Sequence, residues 1–171
     1  KIARKIVETR KEKIINTEDL TKIIHNVKKF KNSKINNSTK VFQALRIFVN
    51  KEISELINGL INAFHLIPVG GIIAVVTFHS IEDKIVKFFF NNFSSSRSKP
   101  SRYLPENDDN IFLLDEYKNK VFKPSVLEIN QNHSSRSAKL RYAIRNENEF
   151  AYPEELLNKF RKYLEVEKSN V

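Results

Sequence analysis

The sequence predicts an α/β fold, part of a doubly wound sheet with helices on its faces, and three adjoining features predict it. Phe42, Leu45, Val49, Ile53, Leu56, Leu60 and Phe64 recur at three- and four-residue steps, the spacing that lines one face of a long helix. Pro68, Gly70 and Gly71 then punctuate the chain as a helix end does. Ile72 to Phe78 follows with apolar side chains at nearly every position, so both faces of a strand would be greasy. That is the pattern of an interior parallel strand covered by helices.

The remaining elements follow in order. Ile2, Ile6 and Val7 give residues 2–13 an apolar helical side, with Arg4, Lys5, Arg10 and Lys11 around the rest. Thr17 reads as an N-cap with Glu18 and Asp19 in the first turn, where the helix dipole favours acids. Leu20, Ile23, Ile24 and Val27 supply the stripe of this second helix, and Lys28 to Lys40 reads as a polar, basic loop. After the long helix and the strand, Ser80 opens a helix to about Asn92 that turns Ile85, Val86, Phe89 and Phe90 inward. Residues 94–110, rich in Ser, Arg, Lys, Pro and Asp, read as a surface loop. Ile111–Leu114 and Val121–Phe122 are candidate short strands around a polar turn. From Ser137 to Arg145, Ala138, Leu140, Tyr142 and Ile144 alternate with Lys139, Arg141 and Arg145, which predicts a half-buried strand with a basic outer face. A last helix starts with Pro153 in its first turn and carries Leu156, Leu157, Phe160 and Leu164. No internal repeat is evident.

Composition narrows the function classes. A chain of 171 residues with 13 Phe and 5 Tyr can bury a real core. Its formal charge of +10 favours a polyanionic partner, because neutralising phosphates releases counterions. The same balance also arises from a composition rich in Lys, Asn and Ile. The absence of cysteine excludes a disulfide scaffold and any thiolate metal site. Apolar runs such as Ile72 to Phe78 are too short to span a bilayer, and no secretion leader opens the chain, so a soluble cytoplasmic protein is expected. The sequence holds no methionine and opens inside an amphipathic helix, so the natural N-terminus is expected to lie upstream of Lys1.

In open α/β sheets ligands bind beyond the carboxyl ends of the strands. The strand ending at Phe78 delivers Phe78, His79 and Ser80 to that edge: an aromatic to stack on a base, and an imidazole or hydroxyl to hydrogen-bond it. Phe78 reads equally as core, and His79 equally as a structural polar contact. Ser80-Ile81-Glu82-Asp83 fits a capping box, which assigns Ser80 and Asp83 a structural capping role first. Arg46 and Gln43 lie at the edge of the long helix's apolar stripe, either solvated or aimed at phosphate or a carboxylate. Arg136-Ser137-Ala138-Lys139-Leu140-Arg141 offers three cations and a hydroxyl at a strand entrance, as a charged edge strand also would. The sequence contains no Gly-rich phosphate loop, metal-spaced His pair or nucleophile triad.

Three segments, in this order, point further: Val41-Phe42-Gln43-Ala44-Leu45-Arg46-Ile47, Thr77-Phe78-His79-Ser80-Ile81-Glu82-Asp83-Lys84 and Arg136-Ser137-Ala138-Lys139-Leu140-Arg141. They closely resemble the TFQALRI, SFHSLEDR and RSAKLR signatures of the bacterial small-subunit ribosomal RNA cytosine-N4 methyltransferases (the MraW/RsmH family). Ile2-Ala3-Arg4-Lys5-Ile6-Val7 is similar to that family's IARAIV helix, and the likeness covers residues 1–146 or so. The resemblance implies the C-terminal half of a class I, Rossmann-like methyltransferase fold that uses S-adenosylmethionine, preceded by the end of a helical insert. On that reading residues 1–40 end the insert, 41–146 belong to the methyltransferase domain, and 147–171 form a helical extension.

The resemblance also implies the partner, small-subunit ribosomal RNA, with a decoding-region cytidine as the target and no metal. The family's donor-binding elements, a Gly-Gly-His loop, an acidic residue after the second strand and an Asp-Leu-Gly segment, would all precede Lys1. No donor-contacting residue is therefore expected in this chain, nor methyl transfer by it alone. Cytosine N4 is a poor nucleophile, so alignment and an acceptor for its protons would carry catalysis once the base leaves its stack. Phe78 and His79 would border the cytosine, while Lys40, Gln43, Arg46, Arg136, Ser137, Lys139 and Arg141 would hold RNA or fix the fold. The sequence departs from the family's pattern at Asn36-Asn37 and Lys40, and at Asn132-His133-Ser134, where one cation is lost. A non-catalytic RNA-binding module and a helical interaction domain are the alternatives, and oligomeric state is not legible.

Overall fold

The computed structural model describes residues 1–10, 16–27, 37–94, 112–115, 117 and 119–169. They form two compact units, Lys1–Glu52 and Ile53–Ser169.

The first unit holds α1 (Ile2–Thr9), α2 (Thr17–Val27) and α3 (Asn37–Asn50), with α1 packed on α2 and α2 on α3. Ile23 and Ile24 of the α2 stripe are buried. The cap of α2 sits one residue before the expected Thr17. Asn16 Oδ1 accepts from Asp19 N at 3.0 Å, and Asp19 Oδ2 accepts from Asn16 N at 3.3 Å, a reciprocal pair that closes the first turn. Because α3 already starts at Asn37, Lys40 lies in its first turn rather than in a loop; most of the expected 28–40 loop lies outside the described residues.

The stripe that predicts one helix from Phe42 to Phe64 is carried by two. Lys51 adopts a left-handed backbone, φ 52°, and α4 (Glu52–Leu66) begins directly after it. A non-glycine residue there costs about 1–2 kcal/mol, so something must hold the break. On one side, the Arg46 guanidinium grips Glu52 with two parallel bonds, Nε to Oε1 at 2.7 Å and Nη2 to Oε2 at 3.1 Å, and Asn50 Nδ2 donates to the same carboxylate at 3.3 Å. Spacing alone does not register such a break, and in α3 the expected stripe is not the buried one: Leu45 and Val49 are exposed, and Ile47 is buried instead.

The second unit is built on α4, β1 (Ile72–Thr77), α5 (Ser80–Asn92), α6 (Val126–Gln131), a 3-10 turn (His133–Ser137), β2 (Lys139–Ile144) and α7 (Glu154–Lys168). The unit thus mixes helices with a small two-stranded sheet. Ile53, Ile57, Leu60, Ile61 and Phe64 of α4, and Ile85, Val86, Phe89 and Phe90 of α5, are buried as their spacing requires. Phe64 meets Phe89 edge-on at 5.5 Å, Phe90 meets Tyr117 at 5.3 Å, and Phe88 meets Phe160 of α7 at 5.6 Å.

Among the described residues β1 pairs only with β2, and antiparallel, from Ile72 opposite Ile144 to Thr77 opposite Lys139. The expected parallel neighbours of β1 are not found among these residues. One face is covered, with Ile73 and Thr77 buried; on the other Ile72, Val76 and Tyr142 are exposed.

The polarity of β2 is the reverse of the expected one. Arg141 and Arg145 are buried with Ala143, whereas Tyr142 on the apolar row faces outward. Arg145 lies 5.4 Å over the Phe64 ring, and its Nη1 donates to the carbonyls of Asn146 at 2.8 Å and Leu113 at 3.3 Å. The alternation was legible; which row faces in was not, since a buried guanidinium needs partners that lie far off in sequence. Ile111 lies outside the described residues, and the rest of the two expected short strands reduces to isolated bridges: Leu114 with Ser94 and Arg145, and Phe122 with Leu140.

The Gly-Gly turn is fixed by two separate demands. Gly70 has φ 77°, and a Cβ on Gly71 would sit 2.8 Å from the Pro68 carbonyl oxygen. The turn also pairs with the end of β2, Gly70 N to Arg145 O at 2.8 Å and Arg145 N to Gly71 O at 2.9 Å. Gly71→Ala is therefore expected to destabilise the chain by more than about 1 kcal/mol in urea unfolding; a neutral result would refute the close approach.

Candidate functional site

The carboxyl end of β1 turns directly into α5, and the flush pairing with β2 places the start of β2 beside that turn. Two of the three signature segments therefore meet there. Phe78, just past β1, is 55 % exposed.

His79, not Ser80, is the N-cap of α5. Its Nδ1 accepts from Glu82 N at 3.3 Å, while Glu82 Oε2 accepts from Phe78 N at 2.8 Å and His79 N at 3.1 Å. The other ring nitrogen, Nε2, stands 3.2 Å from Glu82 Oε1. The capping box is thus the expected motif shifted by one residue, with an imidazole in the place of a hydroxyl. The His79 side chain is only 7 % exposed, so this ring is held inside the turn rather than offered at a rim. Ser80, in the first helical position, is exposed and does not cap.

Asp83 does not cap either. Its Oδ1 accepts from Arg141 Nε at 2.8 Å and its Oδ2 from Lys139 Nζ at 2.8 Å, tying the first turn of α5 to the start of β2. Arg141, whose side chain is 5 % exposed, extends the cluster: Nη1 donates to Tyr117 Oη at 2.7 Å and Asn119 Oδ1 at 3.1 Å. Burial alone would raise the Asp83 pKa, but the hydrogen bonds and charges of Arg141 and Lys139 outweigh it and hold the carboxyl below its ordinary value. Burial would likewise lower Arg141, and its bonds to Asp83 and Tyr117 raise it instead. Tyr117 and Asn119 escaped sequence reasoning because a polar turn has no periodicity to mark them.

The other expected RNA-facing residues fall into two groups. Lys40, Gln43 and Arg46 lie on α3 in the first unit, Lys40 exposed and Arg46 gripping Glu52. Arg136 and Ser137 end the 3-10 turn that leads into β2; both are exposed, and Arg136 Nη1 donates to His133 O at 3.2 Å. In the second unit the arrangement provides one open aromatic face, a hydrogen-bonded turn behind it, and the exposed cation Arg136 ahead of β2. That suits stacking on a planar group and holding an anion. No helix among the described residues is long and apolar enough to cross a membrane.

Comparison with known proteins gives a family. The sequence profile of the MraW methylase family matches residues 1–146. The chain is 43 % identical over 148 residues to the "Ribosomal RNA small subunit methyltransferase H" of Rickettsia bellii (strain OSU 85-389), covering 84 % of this chain and 48 % of that protein. It is 44 % identical over 143 residues to the protein of the same name from Ehrlichia chaffeensis (strain ATCC CRL-10679 / Arkansas), covering 82 % of this chain and 45 % of the relative. The same name belongs to a protein of Parvibaculum lavamentivorans (strain DS-1 / DSM 13023 / NCIMB 13966), 41 % identical over 146 residues. The chain spans a little under half the length of these curated relatives.

The Asp83 cluster sets a pH dependence. A carboxyl depressed in the fold stabilises it fully above the ordinary carboxyl value, near pH 3.9, and that contribution is lost as pH falls through the lower native value. Asp83→Asn strands a buried guanidinium and is expected to cost about 3 kcal/mol at pH 7. Its deficit relative to wild type should shrink at pH 3. Denaturant unfolding at both pH values reads this, and equal deficits would contradict the ion cluster.

Proposed function

The chain belongs to the MraW methylase family, and from that premise we propose that it is the RNA-facing C-terminal half of an S-adenosylmethionine-dependent methyltransferase acting at N4 of a cytidine in the decoding region of small-subunit ribosomal RNA. The observation that carries this reading is the union of the Thr77–Lys84 and Arg136–Arg141 segments at one end of the sheet through Asp83. Motifs 56 and 58 residues apart are joined by short charge-assisted bonds, and the turn between them presents Phe78 outward.

The roles divide by what each side chain already holds. Phe78 borders the cytosine as a stacking face, and His79 and Glu82 shape the turn that presents it. Lys40, Gln43, Arg136 and Ser137 meet RNA; Arg46, Lys139 and Arg141, each in a carboxylate's grip, fix the fold. The net charge of +10 supports a polyanionic partner in the cytoplasm. The sequence contains no Gly-Gly-His or Asp-Leu-Gly segment that would hold the methyl donor, so no residue here is assigned to it and no step is routed through it.

Residues 1–40 are read as the end of a helical insert, 41–146 as the later part of a Rossmann-like domain, and 147–171 as an extension. The open apolar face of the sheet, with Ile72, Val76 and Tyr142 uncovered, supports a further layer of structure from a donor-binding half.

Joining this chain to the N-terminal half of the Rickettsia bellii relative and assaying methyl transfer to small ribosomal subunits tests the proposal. The chimera is expected to transfer methyl groups and the chain alone to transfer none. Phe78→Ala in the chimera is expected to lower turnover by at least tenfold with the fold intact, as loss of a base-stacking contact worth about 1–3 kcal/mol would. For the chain alone, RNA affinity that is negligible and flat with salt would remove the RNA-facing assignment.

A further inference from the structure

The helix α7 lies beyond residues 1–146, the part that matches the family. It is nevertheless embedded: Leu156 and Phe160 are fully buried or nearly so, Phe160 packs edge-on against Phe88 of α5, and Lys159 Nζ lies 5.6 Å over the same Phe88 ring. Near its other end Glu167 is 2 % exposed, an uncommon place for a carboxylate.

Glu167 ends at the first turn of α4. Its Oε1 accepts from Ile53 N at 3.0 Å, and its Oε2 accepts from Ser54 N at 2.8 Å and from the Ser54 hydroxyl. A helix start leaves its first N–H groups without intrahelical partners, and a side chain just ahead of the helix ordinarily supplies the acceptor. Lys51 precedes α4, and an ammonium accepts nothing. The cap therefore comes from more than a hundred residues downstream, and its charge suits the positive end of the helix.

The same two N–H groups decide whether α3 and α4 are separate. In a helix running unbroken through Lys51, Ile53 N would bond the Val49 carbonyl and Ser54 N the Asn50 carbonyl. Capping by Glu167 and continuity of the helix therefore exclude each other. The apolar pattern from Phe42 to Phe64 suits the unbroken form, while Lys51 at φ 52° belongs to the broken one. We propose that α7 is a C-terminal latch: its docking, through Glu167, selects the broken form and fixes where α4 begins. This inference rests on the folded chain alone and not on the methyltransferase reading.

Glu167→Ala in the 171-residue chain tests it, read by the Lys51 backbone: its Cα chemical shift and amide–Hα coupling in NMR. The variant is expected to shift both from left-handed toward right-handed helical values, with the Ile53 and Ser54 amides still protected. Adding Lys51→Gly, which eases the left-handed backbone, should restore the broken form. Glu167→Gln, which keeps shape and one acceptor, should lie between and covers the case in which the alanine variant does not fold. Left-handed values at Lys51 in both Glu167 variants, with the Ile53 and Ser54 amides exchanging freely, would overturn the latch and leave Glu167 as a passive cap.

Discussion

The structure of the second unit depends on neutralising cations that β2 turns inward. A strand that turns the guanidinium groups of Arg141 and Arg145 inward, with the part-exposed Lys139 at its start, is unstable unless each buried cation finds an acceptor. Asp83 answers for Lys139 and Arg141, and the backbone around Asn146 with the Phe64 ring answers for Arg145. Those demands hold the first turn of α5 against β2, and the register of the sheet follows. A one-residue slip would turn the cations outward and leave the part-buried Asp83 without its partners.

Seen from that constraint, the signature residues are largely architectural. His79 and Glu82 close a helix start, Asp83 and Arg141 join two elements, and Arg46 braces a helix break. Among the residues around the β1–α5 turn, Phe78 is the one presented with a broad open face. The turn behind the ring is fixed at both backbone amides by one carboxylate, so the proposed stacking face would be held in place by its backbone.

Much of this was legible in the sequence where local rules suffice. The stripes of α2, α4, α5 and α7, the strand at Ile72 and the stop at Gly70-Gly71 follow from periodicity and punctuation. What escaped were decisions made by distant partners. Arg145 reads as a surface charge until the Phe64 ring and the Leu113 carbonyl lie beside it. The broken helix at Lys51 reads as continuous because Glu167 is far down the chain. The cap of α5 differs from the expected one for a smaller reason: a serine next to a histidine looks the better acceptor, yet the extended backbone at His79, φ −134° and ψ 164°, settles which residue stands outside the helix. Short α6 leaves no mark in the sequence, since six residues give too little pattern to register.

The outer edge of β1 has a consequence for handling this polypeptide. Among the described residues that strand bonds to β2 alone, and on its uncovered face stand the uncharged Ile72 and Val76. Nature usually guards such borders with lysine, proline or a bulge, and Ile72–Thr77 has none of these. Two copies meeting at high concentration therefore have a ready seam for zipping strand to strand, so colloidal behaviour in the test tube reports on whether that seam is clothed.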